Sequence, residues 1–187
     1  MRIVAGRLRG RTLAAPPGRL ARPTADRARE TLFSMLNSRI DFDGLRVLDA
    51  FAGSGALGFE ALSRGALHAT FLETNPACLA VLRDNARALG EEGRATILRA
   101  DATRPPPAPS PCDLALLDPP YDRGLGPPAL AALAKAGWLA PDALTVIEVA
   151  AREAFTPPEG FTIGEERESG AARFVFVNFA SLIPVSR

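Results

Sequence analysis

Two short stretches of this chain carry residue types suited to moving a small group between molecules. In Asp118-Pro119-Pro120-Tyr121 each proline pushes the residue before it out of the helical region, and neither proline has an N–H to donate. The turn therefore offers acceptors, a carboxylate and backbone carbonyls. Acceptors suit an exocyclic amine, whose N–H groups must be held while its nitrogen lone pair faces an electrophile. Tyr121, the sole tyrosine of the chain, adds a flat face on which a base can stack. A proline-stiffened turn without chemistry is the plain alternative.

The second stretch runs from Asp49 to Gly58, Asp-Ala-Phe-Ala-Gly-Ser-Gly-Ala-Leu-Gly. Gly53 and Gly55 permit backbone angles and close ligand approach that a Cβ forbids, and a helix starting at Ala56 would aim unpaired N–H groups at a bound ligand. The segment matches G-x-G-x-x-G, with Glu73 about where a dinucleotide fingerprint has its ribose-binding acid. Asp49 points elsewhere, because a carboxylate beside the turn repels a pyrophosphate and attracts a cation. S-adenosylmethionine, which carries an ammonium and a sulfonium, suits that acid better than NAD. A glycine-rich strand-to-helix turn with no ligand stays open as the third reading.

These stretches need elements to hold them. Apolar runs and turn residues predict strands near 45–50, 68–73, 94–99, 113–118 and 143–149, with helices near 56–64, 76–89 and 127–137 between them. Asn75 and Pro76 mark one helix start and Gly90 its end, and Gly65 closes the helix before it. Alternation of this kind predicts an α/β fold with a mostly parallel sheet. Two further strands, 161–167 and 173–179, joined through Ser169-Gly170, add an antiparallel C-terminal hairpin and bring the total to seven. Asp49, Glu73, Asp101 and Asp118 each fall at or just after a predicted strand end, where open parallel sheets bind ligands.

Upstream, residues 1–13 alternate basic with small or apolar residues around Gly6 and Gly10, which predicts a small β-hairpin. Residues 14–23 are a connector rich in proline and glycine, and Thr24 is the expected N-cap of a helix reaching about Ser38. Net charge is only +1, yet residues 1–40 hold nine arginines against two acids, +7 there and −6 over the rest. That segregation suggests a polyanion partner for the N-terminal part, with Arg7, Arg9, Arg11 and Arg22 as contacts; a solvated face is the bland reading. The division expected is a basic appendage, 1–40, and a catalytic domain, 41–187. Met1 leads straight into Arg2 and Ile3 with no apolar signal region, no apolar run approaches a membrane span, and two cysteines are too few for a disulfide framework, so a cytoplasmic location is expected. Cys78, Cys112 and His68 have no ligand spacing, so no metal is expected.

With these residues in view, the chain resembles the RsmD-type 16S ribosomal RNA guanine-N2 methyltransferases, a family of class I enzymes dependent on S-adenosylmethionine with a Rossmann-like fold. The resemblance lies in Arg2 to Gly6, Arg9-Gly10-Arg11, Arg22-Pro23-Thr24, Asp26-Arg27, Arg29 to Phe33, Asp49 to Gly58, Glu60 to Gly65, Glu73 and Asp118 to Tyr121. It departs at the C-terminal turn, where Glu168-Ser169-Gly170 replaces a Tyr-Gly. The resemblance implies that Asp49, Phe51, Ala52, Gly53 and Gly55 line the methionine end of the cofactor pocket. Glu73 would bind the ribose hydroxyls and Asp101 would reach the adenine amine. Asp118 and Pro119 would orient the target amine, with Pro120 and Tyr121 completing the turn. It further implies 16S ribosomal RNA in the small subunit as partner; a monomer is expected. Three other classes remain: a nicotinamide oxidoreductase, which leaves Asp49 and the proline turn unexplained; a DNA amino-methyltransferase, which usually needs a larger target-recognition segment; and a non-catalytic RNA-binding module, which leaves the acidic rim idle.

Overall fold

The computed structural model describes residues 1–16 and 23–180. Seven strands, β1 (Arg46–Ala50), β2 (His68–Glu73), β3 (Ala95–Arg99), β4 (Cys112–Leu117), β5 (Leu139–Ala150), β6 (Phe161–Ser169) and β7 (Ala172–Phe179), form one sheet in the order β3-β2-β1-β4-β5-β7-β6. The first five run parallel and the last two close the sheet antiparallel. Four helices accompany them: α1 (Pro23–Asn37), α2 (Ala56–Ser63), α3 (Pro76–Leu89) and α4 (Gly126–Lys135). No helix among the described residues is long and apolar enough to cross a membrane.

The apolar run Leu114–Leu117 carries no polar alternation because both faces of the central strands are covered. Successive side chains part to opposite faces. Val47, Leu114, Leu116 and Val146 join a core with residues of α1, α2 and α3, whereas Leu48, Ala50, Ala115, Leu117 and Ile147 pack with α4 and the fully buried Trp138. The ends of α3 follow its sequence signals. Asn75 Oδ1 accepts from the Ala77 N–H at 2.8 Å, Pro76 opens the helix, and Gly90 ends it in the left-handed region.

Three expectations needed correction. Helix α1 starts at Pro23, one residue before the expected Thr24 cap, since a proline with no N–H to satisfy fits the first helical position. The fifth strand is longer than 143–149: it begins at Leu139 and passes through Pro141 and Asp142, whose φ is +61°, where its pairing with β4 shifts register. A proline and a left-handed residue are tolerated at such an irregularity. The N-terminal hairpin is reduced to an antiparallel loop with one ladder bridge, Arg2 to Thr12.

Ile3 and Leu13 N–H groups pair within the loop, with the Arg11 and Met1 carbonyls, while the donors between residues 4 and 8 go to α2. Val4 and Ala5 give their N–H groups to the Glu60 carboxylate at 2.7 and 3.0 Å, the Arg7 N–H goes to the Ser63 carbonyl at 2.8 Å, and the Leu8 N–H goes to Ser63 Oγ at 3.0 Å. Gly6 makes the approach possible: its φ is +78°, and a Cβ there would lie 1.9 Å from the Ser63 carbonyl oxygen. Glu60 is fully buried, with Arg64 at 2.8 Å as its ion-pair partner, as a buried charge requires. Ile3, Leu8 and Leu13 are buried in the same core as α1, α2 and α3. Arg22 lies outside the described residues.

Candidate active site

The order of the sheet sets the site. From β1 the chain crosses to β2 on one side, while β4 lies on the other, and the crevice at such a reversal opens at the carboxyl ends of the strands. The register supplies the rows. Asp49 stands level with Phe71 and Leu116; Ala50 stands level with Leu72 and Leu117, and Leu117 with Ile147. The next row outward is therefore Phe51, Glu73, Asp118 and Glu148. By the alternation of the pleat, Glu73, Asp118 and Glu148 share the face of Asp49, so four carboxylates mount the rim of one face on four adjacent strands.

Asp49 is the deepest of them, only 1% exposed. Its Oδ2 accepts the Gly58 N–H in the first turn of α2 at 2.8 Å, where the helix dipole favours a negative charge. Burial nevertheless drives its carboxyl well above the usual carboxylate range, and the charges of Asp118 and Glu73 push the same way against the Gly58 bond. Among the described residues no cation faces this carboxylate, and a positively charged ligand would relieve the strain on it. This is the structural observation that fits S-adenosylmethionine and opposes a pyrophosphate.

The glycine turn around it is tightly specified. Gly53 (φ +56°) gives its N–H to Glu73 Oε2 at 2.8 Å, and Gly55 (φ +80°) caps α2 from the left-handed region. Phe51 also takes a positive φ, +63°, a conformation costly for a bulky residue. It turns the chain so that the Ala52 N–H meets the Leu72 carbonyl at 3.0 Å and the Ala50 carbonyl accepts from Asp118 N–H at 3.3 Å. Gly58 lies against the sheet: a Cβ there would come within 2.3 Å of the Phe71 ring, the close helix-to-strand packing of a third fingerprint glycine.

Glu73 ends β2 with Oε1 accepting from Thr74 and Asn75 N–H at 2.7 and 2.8 Å, in addition to the Gly53 bond on Oε2. Two carboxylate oxygens have about four acceptor sites, so one site stays open. Asp101, two residues past β3, is exposed; its Oδ1 accepts from Thr103 N–H and Oγ1, both at 2.8 Å, while Oδ2 has no hydrogen-bond partner among the described residues. Asp118 is half-buried, Pro119 buried, and Pro120 and Tyr121 exposed.

Two residues that sequence reasoning missed belong to this rim. Glu148, at the end of β5, accepts the Tyr121 hydroxyl, and burial raises its carboxyl above the ordinary value despite that bond. Asn85 of α3, buried, accepts Ala14 N–H at 2.8 Å and donates to the Ala14 and Ser54 carbonyls at 3.1 and 2.9 Å. It ties the N-terminal arm to the glycine turn. Glu148 sits in a strand whose polar member reads as a pleat alternation, and Asn85 in a helix where one amide reads as surface.

The predicted RNA-contacting arginines are partly engaged by the protein. Arg7 pairs with the buried Glu91, and Arg11 donates to the Ala88 carbonyl near the end of α3; Arg9 is exposed. Cys78 and Cys112 are buried thiols, the latter pushed up to about 12 by burial, and His68 Nε2 lies 2.9 Å from Thr96 Oγ1.

Comparison with known proteins agrees with this geometry. Residues 1–178 match the family described as conserved hypothetical protein 95. The chain is 36% identical over 178 residues to ribosomal RNA small subunit methyltransferase D of Haemophilus influenzae, covering 93% of this chain and 91% of that one. A solved structure of the Escherichia coli protein yhhF superimposes with a TM-score of 0.82 at 35% identity, over 97% of this chain and 98% of that one. The magnesium protoporphyrin IX methyltransferase of Synechocystis, at 16% identity and a TM-score of 0.65 over 84% of this chain and 80% of that one, shares the fold. A glycine turn and acidic rim at the sheet's reversal, with similarity running almost end to end, place the chain in the ribosomal RNA small subunit methyltransferase D family.

Proposed function

We propose that this chain transfers the methyl group of S-adenosylmethionine to the exocyclic N2 amine of a guanine in 16S ribosomal RNA, acting as a cytoplasmic monomer on the small ribosomal subunit. The observation that carries the reading is the buried Asp49 carboxyl at the glycine turn, with no cationic partner among the described residues, two rows below an acceptor turn at Asp118. When bound, S-adenosylmethionine supplies an electrophilic methyl on a sulfonium. Asp49 holds the positive end, Gly53 and Gly55 let the backbone approach it, Glu73 takes the ribose hydroxyls, and Asp101 meets the adenine amine with its open oxygen.

The Asp118 carboxylate and the Pro119 carbonyl orient the guanine amine, while Tyr121 stacks on the base. In-line attack asks for orientation more than for a strong base, because the amine becomes acidic only as it gains the methyl group and loses its proton late. The Asp118 carboxylate can also accept from guanine N1–H, a position at which adenine presents an acceptor. Arg7, Arg9, Arg11 and Arg22 meet phosphates, with Arg9 the readiest of the described three.

The test is mass-spectrometric mapping of methylated guanines in 16S ribosomal RNA from cells with and without this chain. One N2-methylguanine dependent on the chain is the expected result. Methylation of another base, or of none, would overturn the reading.

A further inference from the structure

The Asp118–Tyr121 turn is stiffened by its prolines only up to Pro120, yet its aromatic end is held from outside. Tyr121 is 40% exposed, and its hydroxyl donates to Glu148 on the neighbouring strand. One residue on, Asp122 takes a left-handed φ of +56° and gives its N–H to Glu153 Oε2 at 3.1 Å; the same oxygen accepts from Ala150 N–H at 3.3 Å. Arg173 of β7 donates to the Glu153 carbonyl. Two carboxylates at the exit of β5 thus grip two consecutive residues of the turn.

We propose that Glu148 is a positioning residue of this site: by accepting the Tyr121 hydroxyl it locks the phenol ring in one orientation beside Asp118, with Glu153 pinning the backbone that follows. Three features support this over a passive rim acid. Register puts Glu148 level with Asp118, so no slack separates the strand end from the turn. Glu148 is half-buried between covered neighbours, Ile147 and Val149, and a carboxylate retained there needs a partner. An exposed tyrosine ring otherwise samples several rotamers, and an oriented stacking face requires one of them.

What the ring does rests on the methyl-transfer reading; how the ring is held does not, and the test separates the two. Its first arm is a double-mutant cycle on methyl transfer to small subunits with Tyr121→Phe, Glu148→Ala and both together. If Glu148 acts through Tyr121, each single variant lowers kcat about tenfold, the size of one hydrogen bond, and the double variant is no worse than either. Glu148→Gln, which keeps an acceptor oxygen, stays within about twofold of wild type. KM for the subunit barely moves, because phosphate contacts dominate it.

Multiplicative losses in the double variant would mean that Glu148 touches the substrate itself, and would overturn the proposal. The second arm needs no activity. With 3-fluorotyrosine incorporated, the single tyrosine gives one ¹⁹F resonance, which narrows in Glu148→Ala as the ring is released and keeps its width in Glu148→Gln. An unchanged line in Glu148→Ala overturns the proposal even if the wild-type chain methylates nothing. Glu148→Met, which keeps the stem and removes the acceptor, carries both arms if the alanine variant does not fold.

Discussion

Replacing Asp49 with asparagine separates what this carboxylate does for the fold from what it does for the ligand. Asparagine keeps an oxygen for the Gly58 N–H, now 2.8 Å from Asp49 Oδ2, so α2 remains capped. It also removes the like charge that the Asp118 and Glu73 carboxylates oppose. Burial raises the Asp49 carboxyl, so folding binds this proton more tightly than the unfolded chain does. The contribution to stability is then fully present in acid, below the unfolded value of about 3.9, and is lost as pH rises toward the folded value. Ionising Asp49 is a net cost to the fold. Asp49→Asn should therefore raise Tm, by about 2–4 °C for each kcal/mol recovered in a chain of this size. Affinity for S-adenosylmethionine should fall, since about 1.5–3 kcal/mol of charge-assisted bonding disappears; that is roughly 10- to 150-fold in Kd. The gain in Tm should shrink toward pH 4, where Asp49 itself is neutral. Calorimetric titration and thermal melts across pH read both effects. A lower Tm with unchanged affinity would refute the reasoning, because it would make Asp49 a structural cap and not a cation site.

Most of the framework was legible because it is written in local signals. Asn75-Pro76 and Gly90 delimit α3 to the residue, and the apolar run Leu114–Leu117 lies in β4 as expected. The strand-end places of Asp49, Glu73 and Asp118 were legible because each follows an apolar run, and a polar group at a strand's carboxyl end lies at the edge of the buried layer. What was hidden depends on two distant segments meeting. Glu148 gains its meaning from Tyr121, 27 residues earlier, and Asn85 from Ser54 and Ala14, 31 and 71 residues away; no periodicity encodes such pairs. Glu60 sat within a recognisable segment, yet its neighbours gave no hint that its carboxylate holds two N–H groups of the arm. The left-handed Phe51 was equally silent, since phenylalanine carries no preference for positive φ and tertiary bonds impose it.

Asp118→Ala should lower kcat at least about 100-fold with cofactor affinity nearly unchanged, since its backbone bond to Ala50 survives; near-normal turnover removes it from the mechanism. Replacing Arg7, Arg9 and Arg11 with alanine should flatten the salt dependence of RNA binding by up to about 0.7 per lost phosphate contact for single-stranded RNA. Glu91 keeps Arg94 at 2.9 Å, so the fold should tolerate the loss of Arg7, and an unchanged slope would leave these arginines as surface. Asn85→Ala carries the last expectation, and it differs in kind from Asp49→Asn. The amide satisfies three backbone groups, two on Ala14 and one on Ser54; Ala14 is exposed, so water can replace its two bonds, whereas the carbonyl of the buried Ser54 loses its partner. One buried group left unsatisfied costs about 1–3 kcal/mol, a fall of about 2–12 °C in Tm. Ser54 stands between Gly53 and Gly55, so loosening it should also weaken cofactor binding, and Asn85→Ala should lower Tm and affinity together where Asp49→Asn moves them in opposite directions. The same clamp reaches Ala14, so binding the cofactor should order the arm, read as hydrogen-exchange protection at Met1–Leu13 that rises with S-adenosylmethionine in wild type and not in Asn85→Ala. If Asn85→Ala loses stability but keeps full affinity and wild-type protection, the glycine turn holds its shape alone, and the arm is tied to the site in space without being coupled to it.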